Sequence, residues 1–112
     1  MTDNATVTWE RICSLSDLSE TEGHRYPLTP PVAVFRQGDE VFITDDICTH
    51  ATSSLSEGFV EDGAVECVLH AAKFCVRTGA ALTAPATEPL ATYPARVDDD
   101  GTVWGDFSSR NA

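Results

Sequence analysis

At 112 residues, with 42% apolar and 22% charged side chains, the chain reads as one folded domain, 1–112, which argues against disorder, a fibrous repeat or two domains. Eighteen acidic against seven basic residues give a net charge of −11, so nucleic acid and anionic membrane are poor partners and a basic protein surface is a better one. No apolar run nears the ~20 residues that span a bilayer, and Met1-Thr2-Asp3-Asn4 lacks the features of a signal peptide. The expected location is therefore cytoplasmic, where Cys13, Cys48, Cys67 and Cys75 are thiols or ligands before they are disulfides.

In chain order, the first expected strand is 7–12, followed by at most one helical turn within 14–20, where Ser14 caps and Asp17 lies three residues on. Strands at 32–37 and 41–44 flank Gly38-Asp39-Glu40, a hairpin signal. Strands at 59–60 and 64–68 flank Glu61-Asp62-Gly63, and 73–77 ends at Thr78-Gly79. The two prolines Pro85 and Pro89 mark 83–89 as a stiff loop. The last hairpin joins 92–97 and 102–107 through Asp98-Asp99-Asp100-Gly101. No long stretch holds a 3.6-residue apolar period, so the expected fold is all-β and antiparallel.

Two segments carry more than a turn needs. Cys48-Thr49-His50 closes one and Cys67-Val68-Leu69-His70 closes the other, each offering a thiol and an imidazole. Two such loops face to face could hold two adjacent metal ions, the ligand set of a Rieske 2Fe–2S centre. Two ferric ions, two sulfides, two thiolates and two neutral imidazoles sum to zero charge. Reduction then starts from a neutral centre, whereas an all-thiolate cluster starts as a dianion. Histidine ligation accordingly raises the potential to about −150 to +300 mV, from about −400 mV in plant-type ferredoxins. The same residue types serve a structural zinc site, although Cys48 and His50 sit close together for two ligands of one tetrahedral ion. A Cys–His hydrolase lacks an assignable orienting group. Chance placement in a structural β domain is the remaining alternative.

Over nearly its whole length the chain resembles the Rieske-type ferredoxins of bacterial aromatic-ring-hydroxylating dioxygenase systems. The match is strongest at Ile47-Cys48-Thr49-His50 through Leu55-Ser56-Glu57-Gly58, and at Glu66-Cys67-Val68-Leu69-His70 through Lys73-Phe74-Cys75-Val76-Arg77-Thr78-Gly79. Ala84-Pro85 and Tyr93-Pro94 add to it. The resemblance implies a Rieske fold with a small cluster-binding subdomain at 46–86 and one 2Fe–2S cluster per chain. Cys48 and Cys67 would bind one iron, His50 and His70 the other. It implies a non-enzymatic, monomeric one-electron carrier between a flavin-containing, NAD(P)H-dependent reductase and a terminal oxygenase with its own Rieske domain. A small Rieske subunit held tightly by another reductase is the neighbouring alternative; a zinc-stabilised interaction module is the one from a different class.

Ala51 and Ala71 stand where the family usually has Gly after each ligand His, and Val68 where many members have Pro. High-potential Rieske proteins bridge their loops with a disulfide and donate hydroxyls to the cluster; here the corresponding positions are Ser53, Leu69 and Phe74. A potential at the low end of the Rieske range follows. Cys13 and Cys75 are expected as buried free thiols, His24 as an ordinary surface residue, and Trp9 and Trp104 as core. Pro85 and Pro89 would shield the cluster. Asp45, Asp46, Glu57, Glu61, Asp62 and Glu66 would ring a docking site and steer a basic partner, with Leu69 or Pro85 supplying apolar contact. No G-x-G-x-x-G segment and no second His/carboxylate constellation offers flavin, nicotinamide or mononuclear-iron chemistry.

Overall fold

The computed structural model describes residues 9–47, 54–67, 72–83 and 88–111. Ten strands fill them: β1 (Trp9–Ser14), β2 (His24–Tyr26), β3 (Val32–Gln37), β4 (Glu40–Asp45), β5 (Phe59–Glu61), β6 (Ala64–Glu66), β7 (Lys73–Cys75), β8 (Thr92–Tyr93), β9 (Ala95–Val97) and β10 (Thr102–Asp106). They pair antiparallel in three sheets, ordered β1-β10-β9, β2-β3-β4-β8 and β5-β6-β7. The expected all-β antiparallel architecture is the one observed.

The run Val32-Ala33-Val34-Phe35 explains how the sheets join. Side chains alternate across a strand, and here both faces of β3 are covered along Val32–Phe35, so each of these four positions is apolar and buried. Val32 and Val34 enter a core shared with Ile12, Val41, Ile43, Tyr93 and Val103, between the two larger sheets. Ala33 and Phe35 enter a second core with Leu55, Val60, Val65, Phe74 and Val76, beneath the small sheet β5-β6-β7. The first core is the base; the second supports the tip. Burying a side chain of this size contributes ~1.5–3 kcal/mol, so the doubly covered strand anchors both halves.

Several expectations change. The strands expected at 64–68 and 73–77 end at Glu66 and Cys75, the second because the chain turns at 76–78. The first strand reaches Ser14 because a bulge between Arg11 and Cys13 turns the neighbours Ile12 and Cys13 both inward. The segment 92–97 is two strands: Pro94 interrupts it, β8 pairs with β4, and β9 pairs with β10. Trp9 and Trp104 are half-buried, not core; the Arg96 guanidinium lies 5.4 and 6.0 Å from their ring centres, and Trp104 Nε1 donates to Asp98 Oδ2 at 2.8 Å. His24 belongs to a strand, opposite Val34. The single expected helical turn is the 3-10 turn Leu15–Asp17, and another spans Leu55–Glu57.

Candidate metal centre

The two Cys/His segments leave the fold at neighbouring places. The first begins beyond β4. There the Asp46 N–H donates to the Pro31 carbonyl at 3.1 Å, and the Leu55 N–H donates to the Asp46 carbonyl at 2.6 Å. Ile47 and Ser54 form an antiparallel bridge, which closes the stem around 48–53. The Asp46 side chain, fully buried, reaches across this mouth: Ser54 Oγ donates to Oδ2 at 2.5 Å and the Ser56 N–H donates to Oδ1 at 2.8 Å. Arg25 Nε stands 3.6 Å from Oδ2.

The second stem extends a hairpin. Glu66 pairs with Lys73, and the Cys67 N–H donates to the Ala72 carbonyl at 2.7 Å, which closes the chain around 68–71. Asp62 and Gly63 turn the preceding hairpin at φ of 53° and 78°, the left-handed values that its two-residue connection requires. Gly58 fixes the relation between the stems. A Cβ on it would lie 2.1 Å from the Glu66 carbonyl oxygen, so the exit of the first loop and the entry of the second touch backbone to backbone. A third strand of contact comes from 80–83: the Leu82 N–H donates to the Lys73 carbonyl at 2.8 Å, and Thr83 Oγ1 accepts from the Lys73 N–H at 2.9 Å.

Of the four expected ligands, Cys67 lies within the described residues. It is fully buried, shares the tip core with Leu55, Ala72 and Phe74, and is not in a disulfide. Cys48, His50 and His70 lie outside the described residues, as do Ala51, Ser53, Val68, Leu69, Ala71 and Pro85. Cys13 is buried in the base opposite Val103, where burial pushes its thiol up, with Asp17 adding to the effect. Cys75 departs from expectation: it is half-buried, and the hydrogen bond from the Thr78 side chain draws its thiol below the ordinary value. Phe74 is fully buried, within the tip core.

The expected ring of carboxylates also needs correcting. Asp46 is buried and committed to the first stem, and Asp45 is half-buried and accepts the Tyr93 hydroxyl at 2.5 Å. Glu57, Glu61 and Asp62 are exposed, with Glu66 half-buried. Ile47, Phe59 (57% exposed) and Leu82 (52% exposed) are apolar side chains in water beside the stems. The sequence assigns Ile47, Phe59 and Leu82 no contact role and Gly58 no packing role; the available signal for the glycine was its position at the end of a short Leu-Ser-Glu turn.

A two-metal cluster with thiolate and imidazole ligands fits this arrangement. Two chain segments carrying that donor set spring from touching stems, and Cys67 stands at the root of one, shielded from water. The profile of the Rieske [2Fe-2S] domain matches residues 8–94. The chain is 47% identical over 94 residues to the 3-phenylpropionate/cinnamic acid dioxygenase ferredoxin subunit of Photorhabdus laumondii, covering 83% of this chain and 89% of that one. Its fold is similar to a ferredoxin of Sphingomonas yanoikuyae B1 (TM-score 0.82, 33% identity, 88% of this chain and 98% of that one). It is equally similar to a chain in the complex of reduced oxygenase and oxidised ferredoxin in carbazole 1,9a-dioxygenase (TM-score 0.82, 35% identity, 88% of this chain and 92% of that one).

Proposed function

The chain belongs to the Rieske [2Fe-2S] domain family, whose cofactor is a Rieske-type 2Fe–2S cluster, and on that premise we propose that it is the ferredoxin of an aromatic-ring dioxygenase system. In this role it is an electron-transfer component and not itself a catalyst, as the names of its relatives suggest. It takes single electrons from an NAD(P)H-dependent flavoprotein reductase and delivers them to a terminal oxygenase. The contact between Gly58 and Glu66 supports this most directly, because it joins the two stems from which the Cys/His segments extend.

Cys48 and Cys67 are the proposed ligands of one iron, His50 and His70 of the other, within a cluster-binding subdomain at 46–86. When bound, the cluster supplies one reversible one-electron couple, proposed to lie at the low end of the Rieske range. The chain's own contribution is placement and access. The tip core keeps water from the Cys67 side, and β3, buried on both faces, carries the tip on the base. Among the described residues no helix is long and apolar enough to cross a membrane, and we take the chain to be a monomeric, diffusing carrier. Glu57, Glu61 and Asp62 give it an acidic rim, while Ile47, Phe59 and Leu82 give a small apolar contact. That combination favours fast, steered encounter over a lasting complex.

Low-temperature EPR of the dithionite-reduced protein tests the cluster. The rhombic, low-average-g signal of a His-ligated centre is expected, and its loss in His50→Ala and in His70→Ala. A colourless protein holding one zinc and no labile sulfide would replace this reading with an interaction module. Association with the reductase should slow as ionic strength rises; a stable, salt-insensitive complex would favour a fixed subunit instead.

A further inference from the structure

A fully buried carboxylate is costly unless its surroundings use it, and Asp46 is the member of the acidic set that the docking role leaves unexplained. Its two oxygens are spent on the far side of the first loop, on Ser54 Oγ at 2.5 Å and the Ser56 N–H at 2.8 Å. Its own backbone is tied to Pro31 and Leu55. The charge partner in reach is Arg25, at 3.6 Å and with its side chain 56% exposed, so solvent screens the positive end of the pair more than the negative end. One residue of chain, Ile47, separates Asp46 from Cys48.

We propose that Asp46 is a positioning residue that clamps the mouth of the first ligand loop and, as a fixed buried anion at its root, holds the reduction potential down. The inference rests on the reading of Cys48 as a cluster ligand. The clamp follows from geometry: one side chain bonds both the hydroxyl at 54 and the amide at 56, so the entry and exit of the loop move together. The electrostatic part follows from sign. An electron entering the site adds negative charge, and a nearby buried carboxylate, only partly offset by the solvent-exposed Arg25, opposes it. At interior effective dielectric constants, a unit charge this close along the chain is worth about tenfold in an equilibrium.

Redox titration of the holoprotein, followed by visible absorption, tests both parts. Asn keeps the shape of Asp and can still bond Ser54 and Ser56 with the hydroxyl reversed. Asp46→Asn is therefore expected to keep its iron, sulfide and spectrum while the reduced-to-oxidised ratio at fixed poise rises about tenfold, which is about 59 mV for a one-electron couple. Arg25→Gln removes the exposed partner and is expected to shift the ratio the other way, about two- to threefold. Ser54→Ala keeps the charge but removes one strut; it should lose its cluster faster with an unchanged midpoint. A fully loaded Asp46→Asn that titrates with the wild type overturns the proposal and leaves only a structural clamp. Should that variant fail to load, Arg25→Gln decides: a downward shift supports the proposal, and an unchanged midpoint overturns it. Wild-type protein that shows no Rieske signal after reconstitution with iron and sulfide has no couple to shift. That outcome removes the ligand reading and this inference together, and colour alone distinguishes it from the others.

Discussion

The two stems at the tip are held shut by different means. The second is a continuation of β6 and β7: Glu66 faces Lys73, Cys67 bonds Ala72, and backbone hydrogen bonds between the two strands set its width, with Thr83 Oγ1 accepting from the Lys73 N–H on the outer side. The first leaves the sheet after β4 and returns as the 3-10 turn Leu55–Glu57, so its mouth has one isolated bridge, Ile47 to Ser54. There a buried side chain does what a ladder does elsewhere. A loop that grows from a hairpin inherits its register from the pleat, whereas one that crosses from strand to turn needs a side chain to span the gap.

This contrast yields a graded set of expectations. Phe74→Ala removes the support under both stems, because Phe74 is fully buried in the tip core; about 3–5 kcal/mol of stability should be lost in denaturant unfolding of the protein. That is a large share of the total for a domain this small. Gly58→Ala strikes the contact between the stems, where the new Cβ meets the Glu66 carbonyl at 2.1 Å; about 2–4 kcal/mol and a lower cluster content are expected. A wild-type cluster content and stability in that variant would break the claim that the stems must touch. Thr83→Ala takes away the partner of the Lys73 N–H and should cost about 1 kcal/mol, while Lys73→Ala, which leaves the backbone ladder intact, should stay within about 0.5 kcal/mol. If the lysine variant lost more, a side chain of the ladder itself would matter in the second stem as well.

The smallest effect compares thiols. The Cys75 thiol is drawn down by Thr78 and half-exposed; the Cys13 thiol is pushed up and buried in the base. Alkylation of the folded protein followed by peptide mass spectrometry should therefore label Cys75 first, and Thr78→Ala should narrow the difference.

Much of this molecule could be read from local chemistry. The turns at Gly38, Gly63 and Gly101 mark their hairpins, and each has the positive φ that such turns use. The pairing of Cys with His at two places singled out the candidate metal-binding segments and, with them, the family. What escaped was what depends on tertiary neighbours. His24–Tyr26 is a three-residue strand with no alternation to display, defined by β3 alone. Asp46 looks like any acidic residue before a loop; that it is buried depends on the two serines that fold back over it, eight and ten residues later. The tryptophans, apolar by type, are half-buried on the flank of the base, where the Arg96 guanidinium lies over both rings.

The break at Pro94 reaches beyond the base. Thr92 and Tyr93 complete one sheet, Ala95 to Val97 complete the other, and the Asp106 N–H closes on the Pro94 carbonyl at 3.0 Å. One short piece of chain thus acts as a rivet through two sheets, and neither can peel away while the other stays folded. Amide protons of β4 and β10, though in different sheets, are then expected to exchange with deuterium in a single cooperative opening, with the full unfolding free energy as their common barrier. The three-residue strands of the tip have no such fastening and can open before it. A chain built this way keeps its scaffold intact while the tip opens and closes locally.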